Sequence, residues 1–225
     1  MAWTLAGAAP RVISFADPVD TVGVASNTVD GVTVVVHLSA SGSNAVLDGN
    51  SLGVGVNSDL DSGAVSAQRR VDGTLATPEA ITLVLSGFTN TLELTGFLLG
   101  SMGNDETATF ASTAFDGATG VSGSGYSFDD GTDTISFNKT ASDGLTDVVF
   151  PGGPLLVQAG DQIVFSTSLA AGGGVLLDEI RLEVPGFDLD TSVIPAVPAD
   201  ALIVNTNAGD GNIDYGLCVY GRRSR

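Results

Sequence analysis

Hydrophobic and polar positions alternate with a period of two through much of the chain. In "GVTVVVHLSA" (31–40), Val32, Val34, Val36 and Leu38 share one face and Thr33, Val35, His37 and Ser39 the other, the pattern of a half-buried strand. The same reading applies to residues 79–87, 90–100, 107–113, 133–139, 145–150, 161–169 and 174–184. Turn-forming clusters such as "GNDE", "DDGTD" and "PGGP" separate these runs at spacings that suit an antiparallel sandwich rather than βαβ units. No window of a dozen residues carries a 3.6-residue apolar period, so little helix is expected.

Composition agrees with many short strands. The 225 residues are 43% hydrophobic, enough for the core of one large all-β domain, and the 30 glycines favour tight turns. The prediction is an all-β fold, a two-sheet antiparallel jelly-roll β-sandwich occupying residues 1–186. Beyond Val184 the character changes: Pro185, Pro195 and Pro198 surround short apolar runs and the last residues are basic. Residues 187–225 are therefore read as a C-terminal appendage that crosses the domain surface or reaches a neighbouring subunit.

Charge narrows the function. One Lys and seven Arg stand against 26 Asp and Glu, a formal charge of −18, so the summed field repels nucleic acid and anionic membranes. Such a surface suits solubility in high salt, divalent cations or a basic partner, and it also keeps strand edges from associating. Cys218 and His37 are the only residues of their types, which excludes an intrachain disulfide and a Cys/His zinc site. The opening "MAWTLAGAAPRVISF" has no basic region leading into a long apolar run, and no 18-residue apolar stretch occurs. The expectation is a soluble chain without membrane insertion, extracellular or at the cell surface, its export signal removed or of another kind.

Acidic turns supply the candidate chemistry. Asn57, Asp59 and Asp61 alternate in "NSDLDSG" as do the first ligands of a calcium loop, but Ser62 and Gln68 stand where an EF-hand needs Gly and Glu. An irregular calcium site and a solvated loop both remain open. Two further acids fall in phase with apolar residues: Glu79 ahead of Ile81, Leu83 and Leu85, and Asp178 among Leu176, Ile180, Leu182 and Val184. An ionised carboxylate on a buried face costs several kcal/mol unless a partner or metal compensates it. Each lies near a strand start, so a rim position still in water is the other reading.

These residues carry a family resemblance. "GVLLDEIRLEV" (174–184) resembles the last strand of carbohydrate-binding jelly rolls, in which the first acid often joins a structural calcium site. The stretch from "SLGVGVNSDLDSG" (51–63) to "NDETATF" (104–110) is similar to β-sandwich domains of exported bacterial proteins that carry a PEP-CTERM sorting tag. The resemblance spans residues 30–185 and departs afterwards: "VPGF" stands where that group shows Val-Pro-Glu-Pro, and "GRRSR" follows without a membrane span. It implies Asp59, Asp61, Glu79, Asp105 and Asp178 as calcium ligands and a role in an extracellular matrix or with surface polysaccharide.

Two functions follow as expectations. The first is a non-catalytic, calcium-stabilised surface or matrix module that binds carbohydrate, with Trp3 and Tyr126 as rings for stacking on sugars. The alternative is a structural subunit of a filament, coat or layer, a homo-oligomer whose partners are copies of itself. There Tyr215, Tyr220, Arg222, Arg223 and Arg225 would meet the acidic surface of a neighbour, and "ALIV" would add a strand to its sheet. No acid pair follows a recognisable glycosidase pattern and His37 sits mid-strand on a polar face, so an enzyme is not expected.

Overall fold

The computed structural model describes residues 11–15, 23–29, 31–58, 70–73, 78–103, 106–116, 124–139, 144–150, 153–168 and 174–185. All belong to one compact unit, Met1–Asp188. The expected appendage over 187–225 lies outside the described residues.

Fourteen strands occur among the described residues: β1 (Arg11–Ser14), β2 (Val24–Val29), β3 (Val32–Ser41), β4 (Val46–Asn50), β5 (Gly53–Asn57), β6 (Ala80–Ser86), β7 (Leu92–Met102), β8 (Thr107–Ala111), β9 (Tyr126–Asp129), β10 (Thr134–Asn138), β11 (Gly144–Val149), β12 (Leu155–Val157), β13 (Gln162–Ser168) and β14 (Leu176–Glu183). They form two antiparallel sheets of seven strands. One runs β11-β7-β14-β5-β4, with β12 also on β7 and β1 also on β14; the other runs β2-β3-β6-β13-β8-β10-β9. The fold is an all-β sandwich, as the alternation predicts. Helix among the described residues is limited to a single 3-10 turn, Thr113–Phe115, where Ser112 Oγ accepts the Ala114 amide hydrogen and Phe115 is driven into the core. No helix of the described residues is long and apolar enough to cross a membrane.

Period-two burial builds the core. Val34, Val36 and Leu38 of β3, Ile81, Leu83 and Leu85 of β6, and Ile163 and Phe165 of β13 face inward from one sheet. Leu92, Leu94, Phe97 and Leu99 of β7 and Val54 and Val56 of β5 face them from the other. The sheets meet at Phe97 and Phe110, stacked with ring centroids 4.1 Å apart, while Phe150 packs edge-on to Phe97 and Phe165 tilts against Phe110. Each such ring contributes about 1.5–3 kcal/mol through burial.

Alternation fails at one place that matters. Leu177 pairs with Leu99 and Glu179 with Leu98, so Asp178 is the extra residue of a β-bulge. The bulge reverses the phase of β14: Leu177, not Leu176, joins Ile180 and Leu182 in the central cluster. Strand β5 approaches at the same point, where a Cβ on Gly53 would lie 2.6 Å from the Leu177 carbonyl oxygen. Gly53 also has φ +124°, so glycine is required on both counts.

Candidate functional site

The outer face of the first sheet is built by cross-strand rows. Asp147 of β11, Leu98 of β7, Glu179 of β14 and Ser14 of β1 stand in one row. Val149, Gly96, Arg181 and Val12 form the next, and Leu156, Glu93 and Glu183 a third. Residues opposite one another in a ladder share a face, so four acids line this surface and Arg181 is its one basic side chain among the described residues. Arg181 Nη1 donates to Asp147 Oδ1, and its Nε lies 3.7 Å from Glu179 Oε2. Glu93 and Glu183 face each other directly, a like-charge pair that favours cations nearby. Burial pushes the Glu179 carboxyl above its usual range; neighbouring Asp178 adds to the rise, Arg181 opposes it, and Asp147 adds again.

Gly96 sits at the centre of that face because β7 and β11 approach closely there: a Cβ would lie 2.2 Å from the Val148 carbonyl oxygen. Beyond it, the edge strands β11 and β12 leave Leu145, Val149 and Leu156 exposed at 58%, 50% and 59%. The alternation of β11 explains this. Thr146, Val148 and Phe150 turn inward and are buried, so Leu145, Asp147 and Val149 turn out.

Tyr126 lies across the gap from this edge. It is on β9, the last strand of the other sheet, half-buried with its ring tilted against Phe137 at 4.8 Å. The Val149 amide donates to its hydroxyl at 3.1 Å, which ties the two sheets together. Burial raises the phenol above its ordinary value of 10.0, the Val149 hydrogen bond opposes this, and the Asp147 charge adds to the rise. The ring is therefore packed on one side against Phe137, with its hydroxyl bonded across the sandwich.

Of the expected metal ligands, the structure describes Glu79 and Asp178. Glu79 heads the inward face of β6, as its phase predicts, and is 0% exposed. Its Oε2 accepts the Asp72 amide at 3.0 Å while its own amide donates to the Asp72 carbonyl at 3.1 Å, closing the segment between them. Asp72 and Ser58 are buried too, and Gly42 approaches both Glu79 and Ser58. Asp178 is on the other sheet, in the bulge, where burial raises its carboxyl above the ordinary 3.8. Asp59, Asp61 and Asp105, and likewise Trp3, Tyr215, Tyr220, Arg222, Arg223 and Arg225, lie outside the described residues.

One cluster was not foreseen. Carboxylate oxygens of Asp116, Asp130 and Asp133 lie within 4.8 Å of one another. Asp133 has φ 48°, a left-handed conformation that Asp tolerates, and its carbonyl accepts the Ser112 amide at 3.1 Å. That bond draws the β9–β10 turn against the 3-10 turn that Asp116 caps. The local signal in "DDGTD" is only that of a turn, and its proximity to Asp116 arises from the pairing of β10 with both β8 and β9. All-oxygen donors of this kind suit a hard cation.

No protein-family model, curated protein or solved structure matches this chain.

Proposed function

We propose that this chain is a non-catalytic, structural β-sandwich subunit that assembles with copies of itself through its sheet edges, outside the cell. The observation that carries the reading is the placement of its exposed large hydrophobic residues. Among the described residues these are Val24, Val46, Leu52, Leu145, Val149 and Leu156. All six are aliphatic, and five lie on the strands that end the sheets: β2, β4, β11 and β12. Exposed aliphatic edges are templates for strand pairing with another chain, and natural monomers blunt them. Sugar rings are held instead by exposed aromatics, and among the described residues the exposed large hydrophobics are all aliphatic.

Calcium is the cofactor this reading carries, because carboxylates are the available ligands and a hard cation would offset a formal charge of −18. The test is light scattering of the full chain over a hundredfold range of concentration, in calcium and in chelator. Mass rising with concentration supports the proposal, and a monomer throughout overturns it.

A further inference from the structure

We infer that the β11–β12 edge is the docking strip for residues 215–225 of a second copy, which pair with β11 as an added strand. The inference rests on the assembly reading above and gives it a partner and an address.

The edge is suited to an added strand. The Phe150 amide donates to Thr95 of β7, and the Val149 amide donates away from β7, to Tyr126. Backbone groups alternate in direction along an antiparallel strand, so Leu145, Asp147 and Val149 turn their N–H and C=O groups away from β7. No strand among the described residues pairs with that side. Of the four outer strands that carry exposed aliphatics, β11 and β12 hold three of the six such residues, and β11 alone sets an exposed carboxylate, Asp147, between two of them.

The occupant is selected by charge and pattern together. Residues 215–225, "YGLCVYGRRSR", hold three of the eight basic residues and none of the 26 acidic ones, so the formal −18 divides into −21 before them and +3 within them. Leu217 and Val219 alternate as a short strand requires, and in an added strand they extend the inward side of β11 while Cys218, Tyr220 and Arg222 take the outer side beside Leu145, Asp147 and Val149. Arg222, Arg223 and Arg225 follow and meet an outer face that carries Asp147, Glu93 and Glu179 against one arginine. A second copy meets these requirements with one contact type repeated, which yields open filaments or closed rings according to the rotation between neighbours.

Cys218 makes the test direct, because it is the only thiol and lies inside the docking segment. The full chain carrying Leu145→Cys is oxidised under mild conditions, beside the full chain carrying Val46→Cys, which places a thiol on the opposite edge. The expected result is covalent oligomers for Leu145→Cys, with a peptide joining residue 145 to Cys218 of another chain, at least tenfold above Val46→Cys. Equal cross-linking at both positions overturns the address. A disulfide closed within one chain overturns the second copy as occupant. Absence of the 145–218 link in protein that light scattering shows to be assembled overturns the inference and leaves the assembly reading standing. If the unmodified chain is monomeric at every concentration, the assembly reading fails first and this inference with it. A version with Arg222→Glu, Arg223→Glu and Arg225→Glu leaves the sandwich sequence untouched and is expected to lower the oligomeric fraction at least tenfold; an unchanged fraction overturns the electrostatic match.

Discussion

The hydroxyl of Tyr126, on the last strand of one sheet, accepts the amide hydrogen of Val149, on the edge strand of the other, at 3.1 Å. The bond closes one side of the sandwich and occupies one donor of an otherwise open strand edge. Tyr126→Phe keeps the ring against Phe137 and removes only the acceptor. The expected loss is about 1 kcal/mol, the net worth of one hydrogen bond, read from urea unfolding. Assembly should not weaken, since the freed Val149 amide lies on the side where a partner strand adds. A variant that loses assembly in parallel with stability would argue against a role for that edge.

Phe97 and Phe110 stack between the sheets, and both are fully buried. Phe110→Ala removes a ring that touches partners in both sheets, and the cavity it leaves should cost about 3–5 kcal/mol. Phe110→Leu, which refills most of the volume, should cost roughly half as much or less. Both values are read from the shift in denaturant midpoint at constant slope.

The readable part of the fold is the part buried on one face only. β3, β6, β7, β8, β10, β11, β13 and β14 coincide with the eight alternating runs because each turns alternate residues to the core over most of its length, with shifts of phase in β7 and β14. β2, β4, β9 and β12 gave little signal, since each sits at the outside of a sheet with few buried positions or spans only three residues. In β5, "GVGVN", both faces are covered and every second residue is glycine, so no alternation exists to find. Glu79 was legible because its strand is regular. The bulge at Asp178 was not, because it arises from pairing with β7, and the approach of Asp116 to Asp133 depends on strand order rather than on either local stretch.

The bulge has a pH signature. Burial raises the folded-state pKa of Asp178 and of Glu179 above the ordinary 3.8 and 4.5. A carboxyl that holds its proton more tightly when folded adds stability where it is protonated, and that stability is lost as pH rises from the ordinary value through the raised one. Asp178→Asn removes this dependence for one group. The variant should be more stable than the wild type near pH 7 and lose that advantage as pH falls towards 4, in urea titrations at fixed salt. If its advantage is unchanged across that range, Asp178 is not titrating against burial.

Glu79 separates a structural carboxylate from a calcium ligand. Its Oε2 anchors the Asp72 amide in a fully buried setting, and hydrogen bonds to charged groups are worth about 1.5–3 kcal/mol, so Glu79→Ala should destabilise by roughly that amount even without metal. Calcium acts differently, because a ligand bound only by the folded chain stabilises in proportion to its concentration: about 2.7 kcal/mol at a hundredfold excess over Kd. For a chain of this size that corresponds to a fall in Tm of roughly 5–10 °C on chelation. We expect the wild type to show this fall and Glu79→Gln, which retains an oxygen acceptor for Asp72 but not the charge, to show none. If the fall persists in Glu79→Gln and disappears in Asp133→Asn, the ion belongs to the turn cluster of Asp116, Asp130 and Asp133. If the wild type melts identically with calcium and with chelator, Glu79 serves the backbone of Asp72 alone.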